Sequence, residues 1–452
     1  MLYLSTNRKS DPVSFSEALL RGQAPDRGLY MPVTIPEFSR ATMASFVNLS
    51  YDEIAFRVAT LYMEDELPAQ ELRRITRESY DFNIPLERVT DRKYIMRLDQ
   101  GPTASFKDFA ARMMGRLMQY YLDQSNGRLL ILTATSGDTG SAVANAFYGL
   151  DNIQVVVLFP RSEVTERQRR QMTTLGKNVH ILALDAKFDD CQALVKKAFA
   201  DQELGHLKLS SANSINIGRL IPQIVYYFYA WSRLARTDVH ENIIFSVPSG
   251  NFGDMMGGVL ALKMGLPVKK FVIATNENDE FPMYLNSGIY RKIEPSRNCI
   301  SSAMNVGHPS NLARLVSLYG GLMDEQGKIT VEADMVAMRK DLFSVSIDDT
   351  KTRETIQKSY RENGVLLEPH GAVGWAGLHE YLDHVPGISK DQLCVSIETA
   401  HPAKFPGEIQ KLLELEPAVP PSLEGLDHKT ELFSNLGLDY REFKAYLLDQ
   451  FG

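Results

Sequence analysis

The segment Gly101-Pro-Thr-Ala-Ser-Phe-Lys-Asp-Phe109 sets a lysine where its amine could react. Downstream, apolar residues fall at Phe106, Phe109, Ala110, Met113, Met114, Leu117, Met118 and Tyr121, the spacing of the buried stripe of an amphipathic helix. Ser105 is the expected N-cap. Lys107 then sits in the first turn, off the stripe, beside Asp108. The helix dipole disfavours a cation at that end, which lowers the cost of losing the charge and suits amine chemistry such as Schiff-base formation. On position alone, an exposed surface lysine is the better reading.

Two turns elsewhere share one form. Ser136-Gly-Asp-Thr-Gly140 and Ser249-Gly-Asn-Phe-Gly253 each follow an apolar strand pattern and open a helical one, Ser141 to Tyr148 and Asp254 to Met264. Glycines let the backbone turn tightly and approach a ligand. A helix start adds unpaired N–H donors and a positive dipole end. One such turn is often packing; two of matching form imply a protein that handles two anionic groups.

Other chemistries lack their motifs. Gly176-Lys177 and Gly327-Lys328 are not followed by the residues a phosphate-binding GxxxxGK[ST] loop needs, and no GxGxxG follows a strand. The nine histidines are scattered without an HExxH, and Cys191, Cys299 and Cys394 do not cluster, so no metal is expected. A GxSxG nucleophile elbow is absent.

These turns need a scaffold. Runs at Leu129–Thr133, Val155–Phe159, Val179–Ala183, Asn242–Val247, Phe271–Ala274 and Leu393–Ile397 read as buried strands. They alternate with helical patterns such as Cys191–Ala200 and Met255–Met264. This alternation implies crossover units, parallel sheet and an α/β fold. The first hundred residues differ, with helical patterns at Ser14–Arg21, Tyr51–Met63 and Ala69–Tyr80. The organisation expected is a mostly helical domain over 1–95, a larger α/β domain from 96–125 and 230–405, a smaller α/β domain over 126–229, and a peripheral C-terminal extension over 406–452.

With 452 residues, several domains are required. A net charge of −7 offers no general attraction to nucleic acid or anionic membrane. The stretch Ile221–Trp231 is too short to span a bilayer. Three dispersed cysteines fit a reducing, cytoplasmic compartment.

Further segments in order along the chain are Tyr3-Leu-Ser-Thr6, Gly28-Leu-Tyr-Met-Pro32, Thr133-Ala-Thr-Ser-Gly-Asp-Thr-Gly140, Gln168 with Gln171-Met172, and Asn213-Ser-Ile-Asn-Ile-Gly-Arg219. Later come Val247-Pro-Ser-Gly-Asn-Phe-Gly253, Pro309-Ser-Asn311, Pro369-His-Gly-Ala-Val373 and Thr399-Ala-His-Pro-Ala-Lys-Phe405. Together with the Lys107 segment they resemble the threonine synthases, members of the fold-type-II pyridoxal-phosphate enzymes (tryptophan-synthase-β-like). That resemblance implies two open parallel-sheet lobes plus the helical N-terminal domain, with pyridoxal 5'-phosphate as cofactor. It implies Lys107 as the Schiff-base lysine and proton shuttle. Gly250, Asn251, Phe252 and Gly253 would cradle the cofactor phosphate, and Thr399 would face the pyridine nitrogen. Ser136, Gly137, Asp138 and Thr139 would hold the substrate carboxylate, and Ser105, Asn216 and Arg219 the substrate phosphate. Asn305-Val-Gly-His-Pro309 departs from the family's pattern.

The implied reaction converts O-phospho-L-homoserine and water to L-threonine and phosphate by γ-elimination and β-replacement, in a monomer or homodimer. The alternative is a related phospho-lyase that degrades O-phosphorylated amino acids without making threonine. A non-catalytic protein retaining the fold would have lost Lys107, and a nucleotide-binding α/β enzyme would bind ATP or NAD.

Overall fold

The computed structural model describes residues 1–63 and 66–452. Its two main sheets follow from runs of apolar, β-branched residues covered on both faces by helices, the pattern of parallel sheet. In the smaller, five-stranded sheet the order is Ser434–Leu436, Val179–Leu184, Ile153–Pro160, Leu129–Ala134, Leu209–Ser210, and all neighbours are parallel. Every residue of Leu129–Ala134 is buried. The larger, six-stranded sheet runs Leu342–Ser346, Val268–Thr275, Ile243–Pro248, Cys394–Glu398, Lys93–Arg97, Leu86–Thr90, parallel except for the last pair.

The helix Lys107–Ser125 joins the two. Its buried face carries Phe109, Met113, Met114, Leu117 and Met118, as the spacing predicts. Phe109 is ringed by Tyr51, Tyr80, Phe82 and Tyr226, with centroids 5.0 to 6.0 Å away. The N-terminal helices Tyr51–Met63 and Ala69–Ser79 thereby share one core with the helix that bears Lys107.

Four structural expectations need correction. Residue 95 falls inside Lys93–Arg97, which pairs with Cys394–Glu398, so the sheet begins before the expected domain boundary. The helical segments from Ile217 to Leu234 are buried in the large core, because their aromatic faces meet the Gly253–Lys263 helix and the N-terminal helices. The C-terminal extension does more than wrap the surface. Ser434–Leu436 adds an edge strand, and Phe443 and Leu447 are buried in the core of the small sheet. Finally, the helix after Ser136 begins at Asp138, three residues before the apolar pattern does.

Parallel strands place their carboxyl ends together, where ligands bind in open α/β sheets. The turns after Ala134, Pro248 and Glu398 all leave such ends.

Candidate active site

The Lys107 loop is held from two directions. Asp108 turns back on it, accepting from the Thr103 N–H at 2.8 Å and the Thr103 hydroxyl at 2.6 Å. Gly101 must be glycine, since a Cβ there would lie 2.5 Å from Asp108 Oδ2. The loop is also stapled to the segment after Glu398. Phe106 N–H donates to the Thr399 carbonyl at 2.9 Å, and His401 N–H to the Ala104 carbonyl at 3.0 Å. Ser105 lies in that bridge opposite Ala400, and its side chain pairs with Thr103 Oγ1 at 3.4 Å. Ser105 is therefore not the N-cap: Phe106 occupies that position, without a side-chain cap.

Lys107 opens its helix with only 14% of its side chain exposed. Burial pushes its amine below the usual lysine range. Asp138 opposes that shift, whereas Lys404 and Arg219 reinforce it. Its Nζ lies 3.8 Å from Asp138 Oδ2 and 4.8 Å from the centre of the Phe106 ring.

Asp138 belongs to the first glycine turn. Thr135 Oγ1 gathers the N–H groups of Gly137 and Gly140 at 2.9 and 2.7 Å. Gly137 has φ +128°, and a Cβ there would meet the Gln168 amide at 2.5 Å. Gln168 in turn donates to Asp138 Oδ1 at 2.8 Å, and Lys404 approaches the same oxygen at 2.6 Å. Burial would raise the Asp138 carboxyl, but the two lysines outweigh it and hold it well below the carboxylate range. Among the described residues, the N–H groups of Ser136, Asp138 and Thr139 have no acceptor, so the turn presents free donors at a helix N-terminus.

The second turn is its counterpart. Phe252 adopts φ +63° at the start of the Gly253–Lys263 helix, and the N–H groups of Gly250, Asn251, Phe252 and Gly253 have no acceptor among the described residues. Gly250 packs so closely on the chain that a Cβ would meet Met304 Cα at 2.9 Å. Asn251 is fixed by Asn311, whose side-chain amide donates to its carbonyl at 2.9 Å. Behind the cradle, Asp254 Oδ1 accepts from the hydroxyls of Tyr226 and Tyr227 at 2.6 and 2.7 Å, while Oδ2 is buried without a partner. Burial raises this carboxyl to about 6, with Lys107 close enough to pull against the shift.

Thr399 donates its hydroxyl to Glu368 Oε1 at 3.3 Å. Glu368 also caps the helix Pro369–His384, accepting from His370 N–H and Gly371 N–H at 2.9 Å each. Beneath lies Glu398, whose carboxyl burial and the Glu368 charge push well above the usual range, with Arg97 opposing.

The structure thus gathers Lys107, Asp138, Arg219, Ser105 and Thr399, with Ser136, Gly137 and Thr139 on one helix start and Gly250 to Gly253 on the other. Arg219 is buried with its Nε unpartnered and one Nη donating to the Ala212 carbonyl at 2.7 Å. Asn216 is not available to a ligand. Its amide donates to the Leu19 and Ser211 carbonyls at 2.8 and 2.9 Å and its oxygen accepts from Gly218 N–H, so it organises the loop. Lys404, Gln168, Asp254 and Glu368 had no role assigned from sequence. Lys404 and Gln168 do stand in the conspicuous segments around Thr399 and Gln171, which was the signal available. A separate groove of about 480 Å³, lined by Leu20, Arg21, Leu122, Gly127 and Lys208 among others, shares no residue with this site.

The donors fit pyridoxal phosphate: a buried lysine of lowered basicity, a helix start whose N–H groups are free for a phosphate, and a glycine that admits close approach. Fold and site define a pyridoxal-phosphate-dependent enzyme of fold type II. The family pattern "Pyridoxal-phosphate dependent enzyme" matches residues 83–399, flanked by "Threonine synthase N terminus" over 2–80 and "Threonine synthase, C-terminal" over 371–447. The threonine synthase of Pseudomonas aeruginosa is 38% identical over 99% of this chain and 98% of its own length. The crystal structure of PLP-bound threonine synthase from Brucella melitensis superposes with a TM-score of 0.92 at 36% identity, covering 100% of this chain and 99% of that one. The yeast threonine synthase structure gives 0.90 at 30% identity, covering 99% and 98%. The chain belongs to the threonine synthase family.

Proposed function

We propose that the chain converts O-phospho-L-homoserine and water to L-threonine and phosphate, with Lys107 as cofactor lysine and proton carrier. The observation that carries this reading is the buried Lys107 amine, facing Asp138, with one anion-binding helix start supplied by each sheet. The cofactor, when bound, supplies the electron sink for carbanions at Cα and Cβ.

The free N–H groups of Gly250, Asn251, Phe252 and Gly253 suit the cofactor phosphate, and the Thr399 hydroxyl suits the ring nitrogen. The N–H groups of Ser136, Asp138 and Thr139, with Gly137 allowing the turn, suit the substrate carboxylate. The Asp138 side chain meanwhile faces the lysines. Arg219, with its unpartnered Nε, suits the substrate phosphate, and the Ser105 hydroxyl, two residues before Lys107, is the second group assigned to it. Lys107 would remove the Cα proton and then a Cβ proton, so that phosphate leaves Cγ; it would return one proton to Cγ and one to Cα, while the hydroxyl of water adds at Cβ and the proton of that water goes to the departed phosphate. Its burial favours the neutral base that proton removal needs.

All these residues come from one chain, which fits a monomer or a homodimer with separate sites. No described helix is long and apolar enough to cross a membrane. The three cysteines are free and buried, which supports a cytoplasmic setting. No role in nucleic-acid binding is proposed.

The test is product analysis of the purified holoenzyme given O-phospho-L-homoserine. Equal molar yields of L-threonine and phosphate are expected. Phosphate without threonine would assign the chain to the phospho-lyases instead.

A further inference from the structure

We propose that Lys404 is a positioning residue for Lys107: its ammonium occupies the Asp138 carboxylate, so that the Lys107 amine stays neutral and free to react. The proposal rests on the reading of Lys107 as the cofactor lysine.

The geometry is asymmetric. One carboxylate faces two lysines, with Lys404 at 2.6 Å and Lys107 at 3.8 Å. The side chain of Lys404 is fully buried, and its Nζ also donates to the Thr103 carbonyl at 2.8 Å, in the loop that leads into Lys107. Gln171 donates to the same carbonyl at 3.0 Å. A buried lysine is retained only when paired and hydrogen-bonded, and Lys404 is both.

The groups that bear on Lys107 come from five surrounding elements. Asp138 opens its helix, Lys404 follows the Cys394–Glu398 strand, and Arg219 lies within the Ile217–Leu220 helix. Glu368 precedes Pro369, and Asp254 stands in the first turn of the phosphate cradle. The Phe106 ring lies alongside. Only Asp138 is within ion-pair distance of the Lys107 amine among the described residues. Were Lys404 absent, Asp138 would have Lys107 as its sole cationic partner and would favour a protonated ammonium. With Lys404 in place that charge is already balanced, and its positive field adds to the burial that disfavours a second cation. Gln168, donating to the oxygen Lys404 uses, keeps the carboxylate turned toward Lys404.

The experiment follows the gain of visible absorbance when pyridoxal phosphate is added to the cofactor-stripped full-length chain, across pH. Only a neutral amine condenses with the aldehyde, so the midpoint of the rise in rate with pH reports on Lys107. In Lys404→Met the midpoint should move up by at least about one pH unit. Lys404→Arg, which keeps the charge, should restore most of the wild-type profile. In Asp138→Asn the midpoint should move down, because Lys404 then repels Lys107 without a counter-charge. A midpoint unchanged or lowered in Lys404→Met overturns the proposal. Should that variant not fold, an unchanged or raised midpoint in Asp138→Asn overturns it equally. A Lys107→Ala chain that still gains the same absorbance would overturn the underlying reading instead.

Discussion

Single side chains in this site act through their surroundings. Lys107 is an ordinary lysine until the sheet ends close around it, where burial lowers the cost of its neutral form. Lys107→Ala should reduce kcat by about 10³-fold or more, as loss of a proton carrier does, with circular dichroism unchanged. Asp254 gives a pH signature in the cofactor-free protein. Its carboxyl is raised from 3.8 to about 6 by burial. Between those values the folded chain keeps a proton that the unfolded chain has lost, so stability falls as pH rises through that window. The cost reaches up to about 3 kcal/mol above it. Asp254→Asn should flatten that slope in denaturant melts run from pH 4 to pH 8; an unaltered slope would contradict this assignment. The two glycine turns stood out by their matching form, whereas Lys107 was singled out by the family resemblance, since its position alone favoured an exposed surface lysine. Lys404 was not, because its meaning lies in a carboxylate distant in sequence. The partners of Asn216 were not legible either, since nothing local says that the Leu19 and Ser211 carbonyls take both protons of its amide.

Helices and strands do the positioning. The Lys107–Ser125 helix is fixed by Phe109 among four aromatic rings, and Phe109→Ala should lower stability by about 3–5 kcal/mol, read as a fall in Tm. The Pro369–His384 helix approaches its sheet so closely that a Cβ on Gly371 would sit 1.5 Å from Glu398 Oε2. Gly371→Ala should therefore cost at least about 2 kcal/mol and disturb Thr399 through Glu368, weakening cofactor retention in dialysis. The strand cores were legible as continuous apolar runs, and Tyr51–Met63 as a periodic helix. Ends were less so. The helix after Ser136 starts at Asp138 because the glycine turn, not the apolar pattern, sets its first residue.

At the scale of the molecule, the two main sheets each contribute one glycine turn with free N–H groups at a helix start, and the helix bearing Lys107 bridges them. The tail closes the smaller sheet. The edge strand Ser434–Leu436 has two exposed residues of three and no apolar run, so the sequence offered no sign of it. Arg169 and Glu431 pair at 2.9 Å, tying the tail to the helix that carries Gln168. Deleting 417–452 should raise hydrogen exchange in Val179–Leu184 and Phe188–Ala200 while leaving Ile243–Pro248 protected. Equal loosening of both sheets would show that the tail supports the whole molecule.

The proposed chemistry depends first on Lys107 holding the cofactor. Borohydride reduction of the purified yellow holoenzyme, followed by mass-spectrometric peptide mapping, tests it most directly. A single reduced pyridoxyl adduct on Lys107 and loss of the visible band are expected. An adduct on Lys404 or any other lysine, or a chain that stays colourless with added pyridoxal phosphate, would contradict it.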